Sequence, residues 1–205
     1  MKVIVAAFNY AAHNEAHNNP FNLPEEPVVF MKPDSAILKD GKPFFIPDFL
    51  GNIEFGVHLV AKVCRLGKCI PEQFAHRYYD ELTVGVDFRA TDLQRKCEQE
   101  GLPWDIASGF DSSAIIGKFI PKSENAFDNN IRFHLEVDGE NVQTGETNNM
   151  LFSIDHIISY LSTLYTLKIG DLIFAGIPGN MTKATIDQHI QGYLNEEKLI
   201  DFHIR

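Results

Sequence analysis

The chain has 205 residues, 44% of them hydrophobic, with a formal net charge of −10 and an isoelectric point near 5.2. This length can bury a substantial core and predicts a single domain over residues 1–205. The acidic balance argues against a nucleic-acid partner, because such affinity comes from clustered Lys and Arg. The apolar run after Lys2 is too short for a signal peptide, and no stretch is long enough to span a membrane. We therefore expect a cytoplasmic protein with no membrane partner.

The N-terminal quarter contains one polar segment and one turn signal. Residues 13–24 hold two His, four Asn and two Pro without an alternating pattern, which is typical of a surface loop or short helix. Such a segment serves as a lid in some proteins and has no role in others, and the sequence leaves both readings open. Asp40-Gly41 separates two apolar runs, 36–38 and 44–46, and predicts a β-hairpin.

Two longer strands follow, and each has a polar face. Residues 53–63 place Glu54, Gly56 and His58 on one face of a predicted strand, while residues 82–88 place Asp87 opposite an apolar face. A buried carboxylate needs a cation or a charged partner, so Asp87 is a candidate ligand or ion-pair residue. An isolated histidine such as His58 is more often a hydrogen-bonded structural residue than a ligand.

The remaining elements are two helices and several strands. Thr91 is a candidate N-cap for a helix that ends at Gly101, and Ser153 is a candidate N-cap for an amphipathic helix that should pack flat on a sheet. Asp138-Gly139 predicts a second hairpin, and residues 172–174 and 199–204 predict further strands. The fold class is therefore α+β and mostly β.

The three cysteines, Cys64, Cys69 and Cys97, are an odd number without CxxC spacing. Neither a disulfide framework nor a thiolate zinc site is indicated, and we expect reduced, mostly packed thiols.

Nearly the whole chain resembles the fumarylacetoacetate hydrolase family, especially its acylpyruvate-hydrolase-like branch. The resemblance is carried, in order, by the segments Phe8-Asn9-Tyr10 with His13, Phe30-Met31-Lys32-Pro33, Val86-Asp87, Asp92-Leu93-Gln94, Gly101-Leu102-Pro103-Trp104, Phe110-Asp111, Gly145-Glu146-Thr147 and 166–173. It implies a mixed β-roll with a few short helices, usually a homodimer. It also implies a divalent ion, commonly Mg²⁺ or Mn²⁺, that chelates a small oxo-acid for C–C hydrolysis, decarboxylation or isomerisation.

The resemblance assigns roles to eight residues. His13 and Lys32 are the implied catalytic residues; Asp87, His58 and Glu54 are the candidate metal ligands; Tyr10, Gln94 and Ile177 are the implied substrate contacts.

The metal ligands are where the sequence departs from the family. Gly56 and His58 stand where the family has a Glu-x-Glu pair. Glu54 is a poor substitute, since four residues of strand span about 13 Å whereas an i, i+2 pair spans about 7 Å. A site of His58 and Asp87 would suit Zn²⁺ better than Mg²⁺, if it bound any metal.

Other family positions have changed as well. These are Ala16 in place of the glutamate that pairs with His13, Ser108 in place of a lysine, Ile177 in place of the Thr of a Gly-Thr-Pro turn, Asn180 and Thr182 in place of glycines, and Arg89 and Thr91 in place of Thr and Arg.

Two hypotheses follow from this pattern. The first is a metal-dependent hydrolase, lyase or isomerase of small oxo-acids. The second is a catalytically impaired family member that binds a small ligand, partners an active paralogue or serves as a structural homodimer. Loss of single ligands or general bases costs orders of magnitude in rate, so the replacements favour the family assignment with activity in doubt.

Overall fold

The computed structural model describes residues 1–11, 23–38, 41–122 and 130–205, and these residues form two β-sheets. The larger sheet has nine strands, ordered β2-β1-β10-β4-β5-β6-β3, with β11 beside β4 and β7 beside β5. The smaller sheet has the order β13-β12-β8-β9. The strands are β1 Val3–Ala7, β2 Val28–Lys32, β3 Ile37–Leu38, β4 Ile53–Val63, β5 Tyr79–Ala90, β6 Ala114–Ile116, β7 Ile120–Pro121, β8 Arg132–Val137, β9 Glu140–Glu146, β10 Leu172–Phe174, β11 Thr182–Lys183, β12 His189–Leu194 and β13 Glu197–His203. The α-helices are α1 Glu72–Ala75, α2 Thr91–Glu100 and α3 Ile154–Leu164.

The antiparallel pair β4 and β5 is the centre of the larger sheet and separates two apolar clusters. Val84, Val86 and Phe88 of β5 face the main core, to which the smaller sheet and α3 also contribute. The alternate residues of both strands face a smaller cluster that contains Val60 and Phe174. The predicted alternation of β5 is confirmed, and it places Asp87 on the smaller side.

Glycine permits close packing on that smaller side. A Cβ built on Gly85 would lie 2.6 Å from the Phe174 ring and 2.7 Å from Val60. The Phe174 ring in turn contacts the imidazole of His58 edge-on, with 5.3 Å between ring centroids. The sheet interior beside Asp87 is therefore densely filled.

One predicted hairpin is confirmed and the other is wrong. Strands β8 and β9 pair across Asp138-Gly139, both of which have positive φ. By contrast, β3 pairs in parallel with β6, and Phe44 bridges Ile204 near the C-terminus. Residues 36–38 and 44–46 thus find partners far along the chain, and these tertiary pairings override the local turn signal at Asp40-Gly41, of which Asp40 lies outside the described residues.

The two long helices match the prediction, apart from one cap. Ser153 caps α3 by accepting a hydrogen bond from the His156 backbone N–H, and the apolar face of the helix joins the main core. The C-terminus of α2 ends at Gly101 in the left-handed region, as predicted, but the helix starts at Thr91 with Ala90 as N-cap. The Thr91 hydroxyl instead points back to the Asn52 carbonyl.

Within the described ranges, no helix is long and apolar enough to cross a membrane. All three cysteines are free: Cys97 is buried in α2, whereas Cys69 is exposed.

Candidate functional site

Asp87 lies in the middle of β5, directly opposite Gly56 on β4, and its side chain has no solvent exposure. Two cations neutralise its carboxylate. The Lys32 Nζ lies 2.5 Å from Oδ1, and the Arg89 Nε donates to Oδ2 over 2.9 Å. Because an isolated buried carboxylate is costly, these two contacts account for its ionised state in the interior.

Lys32 is held in place at the end of β2 and is fully buried. Its ammonium donates hydrogen bonds to the carbonyls of Phe88, over 3.1 Å, and Ser113, over 2.9 Å. Burial lowers the pKa of Lys32, and Asp87 opposes that effect. Burial alone would raise the pKa of Asp87, but Lys32, Arg89 and His58 outweigh it and hold that pKa below its ordinary value.

Arg89 stands two residues after Asp87 on the same strand, so both side chains share one face. Only 9% of the Arg89 side chain is exposed. Its guanidinium lies 4.9 Å from the Phe30 ring centroid, and Phe30 packs edge-on against Trp104. The guanidinium is thus enclosed between a carboxylate and an aromatic ring, which is a favourable site for arginine.

His58 is oriented by the backbone. Its Nδ1 accepts a hydrogen bond from the Gly176 N–H over 3.0 Å, so Nδ1 carries no proton. The proton of the neutral ring is then on Nε2, which lies 3.9 Å from Asp87 Oδ2. Coordination of a metal through Nε2 would need that proton to move to Nδ1, where the Gly176 N–H already points.

The position next to Asp87 is filled by Ile177. The chain after β10 passes across β4 before β11 begins, and it brings Ile177 onto Gly56. A Cβ on Gly56 would lie 2.7 Å from Ile177 Cδ1, so no side chain fits at residue 56. Gln143 fixes this crossing, because it accepts from the Val57 N–H over 2.7 Å and donates to the Asn180 carbonyl.

The residues present do not fit a divalent metal. Among the described residues there is no group of three His, Cys, Asp or Glu side chains that could hold one. Glu54 lies opposite two basic residues, Arg89 on β5 and Lys183 on β11, rather than beside Asp87. With Asp87 in contact with two cations and His58 protonated on Nε2, neither a hard ion nor Zn²⁺ finds a donor set in the part of the chain that the structure describes.

The other residues assigned by resemblance are dispersed. His13 lies outside the described residues. Tyr10 is buried against Phe133, and its hydroxyl has no hydrogen-bond partner within the described residues; burial, reinforced by the Glu146 carboxylate, raises its pKa. Gln94 donates to Glu98 on the same helix. The structure brings together Lys32, Asp87 and His58 with Ile177 nearby. The Tyr10 ring packs against Gly176, which binds His58, whereas Gln94 lies on exposed α2.

Sequence reasoning noted Arg89 only as a family difference and assigned it no role. Its signal was available, since i, i+2 spacing on a strand puts it beside Asp87. Ser113 and Gly176 carried no such signal. Ser113 accepts from Lys32 through both its carbonyl and its hydroxyl, and Gly176 donates its backbone N–H to His58, but the fold alone brings these residues to the site.

Two cavities lie outside this cluster, and the smaller one adjoins the Phe30 ring that covers Arg89. One of about 710 Å³ lies farther along the same side of the sheet and is lined by apolar residues such as Ile116, Phe119 and Leu172. A smaller one of about 270 Å³ is lined by residues 30–31 and 103–105. Neither contains Asp87, Lys32 or His58.

Comparison with known proteins agrees with this fold. The curled larger sheet matches a fumarylacetoacetate hydrolase family protein from Yersinia pestis CO92 with a TM-score of 0.93 and 28% identity, over 100% of this chain and 93% of that one. It also matches the fumarylpyruvate hydrolase from Pseudomonas aeruginosa, solved with Mn²⁺ and pyruvate, with a TM-score of 0.90 and 29% identity, over 100% and 89%. The chain thus shares its fold with proteins of the fumarylacetoacetate hydrolase family, among them a fumarylpyruvate hydrolase.

The sequence comparisons give the family itself. Residues 2–205 match the fumarylacetoacetate (FAA) hydrolase C-terminal family. The chain is 36% identical over 176 residues to the rat mitochondrial oxaloacetate tautomerase FAHD1, covering 86% of this chain and 79% of that protein. It is 33% identical over 203 residues to the Arabidopsis thaliana FAHD1, covering 99% and 90%. The chain belongs to the fumarylacetoacetate hydrolase family, and the expected family and fold class are confirmed.

Proposed function

We propose that this chain is a family member without the metal-assisted chemistry of oxo-acid enzymes, and that it serves as a structural or partner subunit. The observation that carries the proposal is Ile177 packed onto Gly56, directly beside Asp87. A vacant ligand position would leave a pocket, whereas this one is closed by a side chain.

The fold around the site supports the same proposal. The match to relatives spans the whole chain, so the replacements occur within an intact scaffold. Lys32, His58 and Asp87 have no exposed side-chain surface, so a substrate would have to displace packed side chains to reach them. We retain the homodimer, a cytoplasmic location and the lack of nucleic-acid and membrane partners as parts of the proposal.

The test has a metal arm and an activity arm. Protein purified without chelator should contain no stoichiometric metal. Titration with Mg²⁺, Mn²⁺ and Zn²⁺ should give the same amount of bound metal per chain for wild type and Asp87→Ala. Oxaloacetate tautomerisation and fumarylpyruvate hydrolysis should stay at the background rate, with rat FAHD1 assayed in parallel as the active control. Stoichiometric metal that Asp87→Ala loses, or turnover near that of the control, would contradict the proposal.

One observation favours a second function, a metal-free tautomerase. Burial lowers the pKa of Lys32, and a lysine with a lowered pKa is suited to proton transfer. Tautomerisation moves a proton between carbon and oxygen and breaks no C–C bond, so it requires fewer catalytic groups than hydrolysis does. Tautomerase activity that persists in EDTA and disappears in Lys32→Met would establish this alternative.

The subunit role has its own measurement. Light scattering on the purified chain should give twice the mass of one chain. A monomer at micromolar concentration that also fails to bind a co-expressed active paralogue would exclude the partner role.

A further inference from the structure

We propose that the guanidinium of Arg89 is a permanent counter-cation for Asp87, in the place that a divalent ion would otherwise take. This inference rests on the proposed function, because it explains how the site stays folded without metal. It concerns Arg89, which the family resemblance assigns neither to catalysis nor to metal binding.

The contacts of Asp87 show why a second cation is needed there. The Lys32 Nζ lies against Oδ1, and the ammonium also donates to the carbonyls of Phe88 and Ser113 and to the Ser113 hydroxyl. Oδ2 has Arg89 at 2.9 Å, whereas the His58 ring lies 3.9 Å away. Without Arg89, a fully buried carboxylate oxygen would lose its hydrogen-bonded cation.

The surroundings of Arg89 fix its guanidinium rather than leaving it free to swing out. Phe30 covers one face at 4.9 Å, and Trp104 packs edge-on against Phe30. Glu54 lies opposite Arg89 in the β4–β5 register and adds a second acidic neighbour. The cation is thus part of the packed interior beside Asp87.

The direct test restores the ligand positions with and without this arginine. One variant carries Gly56→Glu, His58→Glu and Ile177→Thr, the last to make room beside residue 56. A second adds Arg89→Thr. Mn²⁺ titration followed by electron paramagnetic resonance should show that the second variant binds Mn²⁺ at least about 10-fold more tightly than the first. Arg95→Thr, added to the first variant instead, is the control, since Arg95 pairs with Asp92 on the exposed side of α2. Equal Mn²⁺ affinity with and without Arg89, or no binding to either folded variant, would overturn the inference.

A second measurement stays in the wild-type background and needs no restored site. Arg89→Met removes the charge but keeps much of the volume, and it should lower Tm by about 5 °C or more, while Arg89→Lys should recover at least half of that loss. Equal Tm values for the two variants would show that packing rather than charge is the role of Arg89, and would overturn the inference. Oxo-acid turnover by the wild type in EDTA would contradict the proposed function but not this inference, because it would not change the difference in Tm between Arg89→Met and Arg89→Lys.

Discussion

Replacing Asp87 with Asn is the perturbation that most directly tests the buried ion cluster. The substitution keeps the shape of the side chain but leaves two cations without their anion: Lys32 is fully buried and the Arg89 side chain is 9% exposed. Removing one partner of a buried ion pair costs about 3–5 kcal/mol, because the remaining charge stays desolvated. For a chain of this size, each kcal/mol shifts Tm by about 2–4 °C, so Tm should fall by about 6–20 °C.

The same pair of strands provides a matched control. Lys62 and Glu81 also lie 2.5 Å apart across β4 and β5, but their side chains are 36% and 35% exposed. Glu81→Gln should therefore cost no more than about 1 kcal/mol. The two variants are compared by reversible urea unfolding and by calorimetry. If Asp87→Asn destabilised the protein no more than Glu81→Gln, the reasoning that burial makes the Asp87 cluster essential would be refuted.

Three further predictions concern pH, packing and capping. The partners of Asp87 hold its pKa below the ordinary 3.8, so the stability that its ionised form contributes is complete above pH 3.8 and is lost as pH falls through the folded-state pKa. Urea unfolding at decreasing pH should therefore show the difference in unfolding free energy between wild type and Asp87→Asn narrowing below pH 3.8. A constant difference would contradict this. Gly56→Ala should lower the free energy of unfolding by about 1–3 kcal/mol, because the new methyl group overpacks against Ile177. Most of that loss should vanish in an Ile177→Ala background, and strictly additive effects of the two substitutions would show that the positions are not coupled. Ser153→Ala should cost about 1 kcal/mol through loss of the α3 cap, measured by urea unfolding, and an unchanged midpoint would exclude a capping role.

The sequence predicted the elements whose signals are local and periodic. The alternation of β5, the hairpin at Asp138-Gly139 and the capped, amphipathic α3 are all decided by neighbouring residues, and all three were correct. The hairpin at Asp40-Gly41 failed because its flanking residues pair with β6 and with the C-terminal Ile204. Such pairings have sequence separations that no local pattern encodes.

The same contrast between local signals and long-range contacts applies to the candidate site. Strand alternation placed Asp87 and His58 on the polar faces of two predicted strands as candidate ligand or paired residues, and the structure buries both beside Lys32. The backbone partners of His58 and Lys32, and the crossing of Ile177 over Gly56, depend on where the loop after β10 runs. These determine whether a metal fits, and they became visible only with the fold.

The replaced positions are physically coupled rather than independent. Loss of a side chain at Gly56 is matched by the larger Ile177, so volume is preserved beside Asp87. The remaining carboxylate is paired as well, because Arg89 donates to Asp87. Ser108, where the family resemblance implies lysine, is buried and donates its hydroxyl to the Asp105 carbonyl. Unconstrained decay of an active site would leave voids and unpaired charges, each of which destabilises a protein. Filled volume and paired charge instead meet the requirement of the proposed structural or partner role, which depends on a stable folded state.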